Sequence, residues 1–130
     1  MIVIDASVLA TALGDDGSDG DRARRRLAGE TIAAPELLDL EVASAWRRQV
    51  AVGTMIPRRA ELALTDLREA PIQRVPHRPL LQRCWELREN LSVYDAAYVA
   101  LAELLVVDLL TADRRLAAAP GVGCHVQVLS

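Results

Sequence analysis

Four acidic residues stand in stretches of sequence that are otherwise apolar. Asp5 follows Met1-Ile2-Val3-Ile4 and precedes Ala6-Ser7-Val8-Leu9. Glu41 lies in Leu37-Leu38-Asp39-Leu40-Glu41-Val42-Ala43, Asp95 in Val93-Tyr94-Asp95-Ala96-Ala97-Tyr98-Val99, and Asp113 closes Leu109-Leu110-Thr111-Ala112-Asp113. A carboxylate carried into a buried segment costs free energy unless it is paired or binds a metal. One or two such acids could be accidents, but four, spread from end to end of the chain, point to a convergent acidic site. Hard oxygen donors of this kind suit Mg²⁺ or Mn²⁺.

Each acid also has a plainer reading. Asp5 and Asp113 could be N-caps of the helices that follow them. Ser92-Val93-Tyr94-Asp95 has the pattern of a capping box, and Glu41 could pair with Arg48. Capping does not explain why a Glu joins three Asp. The two roles are also compatible, because helix N-termini favour anions.

The elements that must position these residues alternate in type. Short apolar runs without helical period give strands at 1–5, 31–34, 72–75, 108–111 and 125–129. Helices are expected at 7–13, 21–28 with Gly29 after it, from Pro35 to Gly53, from Pro57 to just before Pro71, at 79–89, from Ser92 to about Leu105, and at 114–119. The stretch 14–20, Gly-Asp-Asp-Gly-Ser-Asp-Gly, reads as an exposed loop. Strands separated by helices predict a central parallel sheet with helices on both faces. Open sheets of this kind build sites at the carboxyl ends of their strands. Asp5 and Asp113 end strands there, and Asp95 opens a helix on the same side. Glu41 falls on the second turn of the Pro35 helix, on a face shared with Leu38, Ala45, Val52 and Arg48.

The 130 residues fit one domain, 1–130, and 52% hydrophobic content excludes disorder. Cys84 and Cys124 lack metal-ligand spacing and read as small core residues of a reduced, cytoplasmic protein. No secretion signal is visible, and the greasiest stretch, 93–110, holds Asp95, Glu103 and Asp108, which argues against a membrane span. The net charge of −3 becomes +1 once the four embedded acids are set aside. All 15 basic residues are Arg, which suits phosphate contacts but equally fits the Ala- and Arg-rich coding of a GC-rich genome. A phosphatase of the haloacid dehalogenase type would want Asp where Ser7 stands, and a response-regulator receiver would want a Lys.

The segments Asp5-Ala6-Ser7, Pro35 to Ala45, Leu91 to Ala102 and Leu110 to Leu116 together resemble the PIN domains, and most closely the VapC toxins of bacterial type II toxin–antitoxin pairs. The resemblance covers essentially the whole chain. It implies a PIN-like three-layer α/β sandwich and a Mg²⁺-dependent endoribonuclease (Mn²⁺ as the alternative ion) that cleaves single-stranded or looped RNA through a metal-activated water. It implies Asp5 and Asp95 as direct metal ligands, Glu41 and Asp113 as residues holding the ion or ions partly through water, and Ser7 and Thr111 as hydroxyls that fix the carboxylates. It further implies a homodimer and a cognate VapB-type antitoxin; Leu62, Leu64 and Leu67 are the apolar positions available for pairing. Arg114 and Arg115 flank the site as candidate phosphate contacts or as a solvated face, and His77 reads as a loop residue. The turn Leu105-Val106-Val107-Asp108 departs from the family pattern, where relatives often carry Gly. A degenerate PIN-like scaffold that binds RNA or protein partners is the competing expectation.

Overall fold

A computed structural model of the chain describes residues 1–129. Five strands run at Ile2–Ile4 (β1), Ile32–Pro35 (β2), Ile72–Val75 (β3), Leu109–Thr111 (β4) and Val126–Val128 (β5). All pair in parallel, in the order β3-β2-β1-β4-β5. The helices are Ala6–Gly14 (α1), Ser18–Leu27 (α2), Leu38–Ala51 (α3), Pro57–Glu69 (α4), Leu81–Glu86 (α5), Val93–Leu105 (α6) and Arg114–Ala118 (α7); a 3₁₀ turn at Arg78–Leu80 leads into α5. The result is the expected three-layer α/β sandwich. β1 and β4 are fully buried, as strands covered on both faces must be. In α6 every residue from Ala96 to Ala102 is buried, so the middle of this helix is core on all sides. Among the described residues no helix is long and apolar enough to cross a membrane.

The topology fixes where a site can form. From the central β1 the chain moves out to β2 and β3 on one side, then crosses back to β4 and β5 on the other. The crevice outside the carboxyl ends of β1 and β4 is therefore the switch point at which open sheets of this kind bind ligands.

Three sequence expectations need correction. Pro35 does not open a helix. It ends β2 opposite Val75, beyond the last β1 pairing at Ala33, so its missing N–H leaves no ladder bond unmade. The helix begins at Leu38 instead, which puts Glu41 in its first turn rather than its second. The stretch 14–20 is not all loop either, since α2 already starts at Ser18. Gly20 is buried in α2, and a side chain there would run into the Asp15 backbone carbonyl. Finally, the helix expected over 79–89 unwinds after Glu86, where the Arg88 and Asn90 N–H groups bond three residues back, to Trp85 and Leu87.

The turn Leu105-Val106-Val107-Asp108 carries backbone strain. Val106 follows the end of α6 at φ 55°, in the left-handed region, and is 89% exposed. Its N–H bonds to Glu103 O at 3.2 Å, and the Val107 N–H bonds to Ala102 O at 3.0 Å. This is a Schellman stop, a position that favours glycine. An L side chain in that region costs roughly 1–2 kcal/mol, more in a β-branched residue. Val106→Gly should therefore raise stability by about 1 kcal/mol, net of the added chain entropy of glycine. Urea unfolding checks this through a higher midpoint at unchanged slope; a lower midpoint would show that the strain is absent.

Candidate metal-binding acidic site

Asp5 is the centre of the site. It is 6% exposed, immediately after β1, and serves as N-cap of α1. Its Oδ1 accepts from Ser7 Oγ at 2.5 Å and from the Val8 N–H at 3.3 Å. Its Oδ2 accepts from the hydroxyl of Thr111, the fully buried last residue of β4. Both hydroxyls accept in turn from the backbone that leaves β4: Ser7 Oγ from the Ala112 N–H at 3.1 Å, and Thr111 Oγ1 from the Asp113 N–H at 3.0 Å. Burial pushes the Asp5 carboxyl above the usual carboxylate range, and these hydrogen bonds oppose that shift.

The other three acids reach the same place from different elements. Glu41 comes from the first turn of α3; its Oε1 accepts from the Tyr98 hydroxyl at 2.6 Å. Asp95 comes from the first turn of α6, where its N–H donates to the capping Ser92 Oγ at 3.1 Å. Asp113 caps α7 by accepting from the Arg115 N–H at 2.9 Å. Asp5, Glu41, Asp95 and Asp113 line one cleft of about 250 Å³ with Ala6, Ser7, Ala45, Arg48 and Tyr98. The capping readings of Asp5 and Asp113 and the cleft reading thus hold together. The Glu41–Arg48 pair does not form: Glu41 is taken by Tyr98, and Arg48 donates to Ser44 Oγ at 3.1 Å while lining the same cleft.

Charge in the cleft is unevenly compensated. Burial raises the Glu41 carboxyl, with the Asp95 and Asp5 charges adding to it. Asp95 is raised by burial, and Asp113 adds to this. Asp113 is lowered, because Arg115 hydrogen-bonds and ion-pairs with it at 3.2 Å. Tyr98 is pushed up by burial and by Glu41, so its proton stays on the phenol. Among the described residues no three His, Cys, Asp or Glu side chains form a ready-made metal cage. Mg²⁺ does not require one: it keeps several waters and takes one or two carboxylates. A water-accessible cleft of hard oxygen donors that repel one another fits such a hydrated ion.

Larger clefts differ in chemistry. One of about 370 Å³ is walled by Leu37, Leu81, Cys84, Val93, Tyr94 and Ala97 with His77, and holds no acid. Another of about 490 Å³, between α3 and α4, includes Asp39, but Arg74 already holds that carboxylate at 2.8 Å. Of the leucines singled out for pairing, Leu67 is buried, whereas Leu62 and Leu64 are exposed. Arg114 is exposed, and Arg115 is paired to Asp113. Sequence reasoning missed Tyr98. The available signal was a hydroxyl three residues after Asp95, flanked by Ala96, Ala97, Val99 and Ala100.

Comparison with known proteins shows the family of the chain. The chain is 42% identical over 128 residues to ribonuclease VapC1 of Mycobacterium tuberculosis, covering 98% of this chain and 96% of that protein. It is 41% identical over 129 residues to ribonuclease VapC9 of the same species, covering 99% and 98%. A family model for the PIN domain matches residues 2–122. The chain belongs to the PIN domain family, in its VapC group. The PIN fold recurs in solved structures: VapC20 of M. tuberculosis, a sarcin-ricin loop cleaving toxin, superposes with a TM-score of 0.72 at 16% identity over 91% of this chain and 94% of that one. A toxin–antitoxin complex from Klebsiella pneumoniae gives 0.68 at 18% identity over 100% and 98%.

The raised Asp95 carboxyl carries a signed consequence for this PIN domain. Ionising a group whose folded pKa lies above its unfolded value disfavours the fold. The cost is absent below the unfolded pKa and complete once pH passes the folded one. In chelator at pH 7, Asp95→Asn should therefore unfold at higher urea than the parent, with the difference closing as pH falls below the unfolded carboxylate range. Equal midpoints throughout a pH series would show that the cleft carries no net repulsion. Asp5→Asn should behave differently and lose about 1 kcal/mol, because an amide cannot accept at both oxygens from Ser7, Val8 and Thr111.

Proposed function

We propose that this PIN domain is a divalent-metal-dependent endoribonuclease, the toxin of a VapBC-type toxin–antitoxin pair, cleaving single-stranded or looped RNA. The observation that carries the reading is the gathering of four acids from four separate elements into one cleft at the sheet's switch point. Identity of about two residues in five to proteins named VapC ribonucleases, over nearly the whole chain, supports it.

In this reading Asp5 and Asp95 hold Mg²⁺, or Mn²⁺, directly, and Glu41 and Asp113 hold it partly through water. The bound ion supplies an activated water and neutralises charge on the phosphoryl oxygens of the scissile bond. The chain's own part is placement. Ser7 and Thr111 occupy both oxygens of Asp5 and fix its plane. Arg48, at the cleft wall, and Arg115, paired to Asp113, would grip RNA phosphates, with Arg115 exchanging Asp113 for phosphate as RNA arrives. Leu62 and Leu64 on α4, with Leu40 on α3, offer exposed apolar surface for a homodimer. A VapB-type antitoxin would silence the enzyme by placing an Arg among the carboxylates. The protein works in the cytoplasm, where the unpaired thiols of Cys84 and Cys124 stay reduced.

Cleavage of RNA by purified protein tests the reading. Asp95→Asn and Asp5→Asn should each reduce the rate by more than about a hundredfold, the upper end of what a lost supporting group costs a metal site. Mg²⁺ at a hundredfold excess over its Kd should stabilise the parent by about 2.7 kcal/mol, and chelator should remove both the stabilisation and the activity. Cleavage that persists in excess EDTA would overturn the metal mechanism. Mg²⁺ binding without any RNA cleavage would favour the degenerate scaffold.

A further inference from the structure

The contact between Tyr98 and Glu41 joins residues 57 positions apart, from α6 and α3. Tyr98 is 1% exposed, yet its hydroxyl reaches the cleft wall and donates to Glu41 Oε1 at 2.6 Å. Packing alone does not ask for that hydroxyl. A phenylalanine would fill the same ring space with no polar group to satisfy, whereas a buried phenol must find a partner. A phenol facing a carboxylate can only donate, so the bond has one direction. It takes Oε1 and leaves Oε2 as the oxygen of Glu41 available to the cleft. Glu41 is otherwise a long side chain with three rotatable torsions, anchored at its tip by this one bond.

We propose that Tyr98 is a positioning residue for the nuclease reaction: its hydroxyl fixes the Glu41 side chain so that a single carboxylate oxygen is presented to the ion and its waters. Ser7 and Thr111 hold Asp5 in the same manner, by hydroxyl donation from a neighbouring element. The inference rests on the ribonuclease reading given above. Groups that orient a metal ligand commonly contribute about ten- to a hundredfold to metal affinity or activity.

The test is a cycle of four proteins: the parent, Tyr98→Phe, Glu41→Ala and the double variant. The first readout is the Mn²⁺ concentration that gives half of the full thermal stabilisation, and the second is cleavage of a random single-stranded RNA pool at saturating Mn²⁺. Because Asp5 and Asp95 remain in Glu41→Ala, that variant should still show a Mn²⁺ midpoint. Tyr98→Phe should raise the midpoint about tenfold in the parent background and slow cleavage, with the metal-free melting temperature close to the parent's. In the Glu41→Ala background it should leave the midpoint where Glu41→Ala set it. A Tyr98→Phe midpoint equal to the parent's would overturn the inference alone. So would an equal shift in both backgrounds, which is what a general loosening of α6 produces. A parent that Mn²⁺ does not stabilise would overturn the ribonuclease reading, and the inference with it.

Discussion

The Asp5 carboxylate, buried and hydrogen-bonded at both oxygens, is the constraint from which the rest of the site follows. A charge at that depth is tolerable only because Ser7, Thr111 and the Val8 N–H share it between its two oxygens. Those same bonds lock the end of β1 to the end of β4 and to the turn that carries Asp113. Since β1 is the central strand, this network ties the cleft to the middle of the sheet. That network also begins α1, whose first turn is capped by Asp5. Fold and chemistry thus share a residue. Removing the Asp5 charge loosens the structure, whereas removing the Asp95 charge relaxes it.

Electrostatics divides the four acids by role. Burial holds Asp5, Glu41 and Asp95 above their ordinary range; the Asp95 charge adds to this at Asp5, the Asp95 and Asp5 charges at Glu41, and the Asp113 charge at Asp95, whereas Asp113 is held below its range by Arg115. The cleft therefore holds desolvated carboxylates, with some mutual repulsion, whose cost a divalent cation would offset. The positive N-terminal ends of α1 and α6 lie beside it and offset part of that repulsion. This explains how caps become site residues: the first turn of a helix is where a carboxylate can be kept ionised at least cost.

Much of this was legible in sequence, for reasons that are local. Ile72 to Val75 stands between breakers and appears as the strand expected; Pro57 opens α4 and Ser92 caps α6 because their chemistry acts within one turn. The four acids were found because apolar neighbours make an acid conspicuous. What was misread depends on distant partners. Pro35 can open a helix or end a strand, and the ladder from β3, forty residues on, decides which. Gly20 looks like a loop residue until α2 is seen to pass against the Asp15 carbonyl. Tyr98 sits among apolar residues, and its function depends on Glu41, which the chain does not bring near until the layers close.

The most direct measurement of the central claim is anomalous diffraction from crystals of the protein saturated with Mn²⁺. The account predicts a peak in the acidic cleft, bonded to the carboxylates of Asp5 and Asp95, with Glu41 and Asp113 reached through ordered water. A saturated crystal with its Mn²⁺ elsewhere, or with none between Asp5 and Asp95, would contradict it.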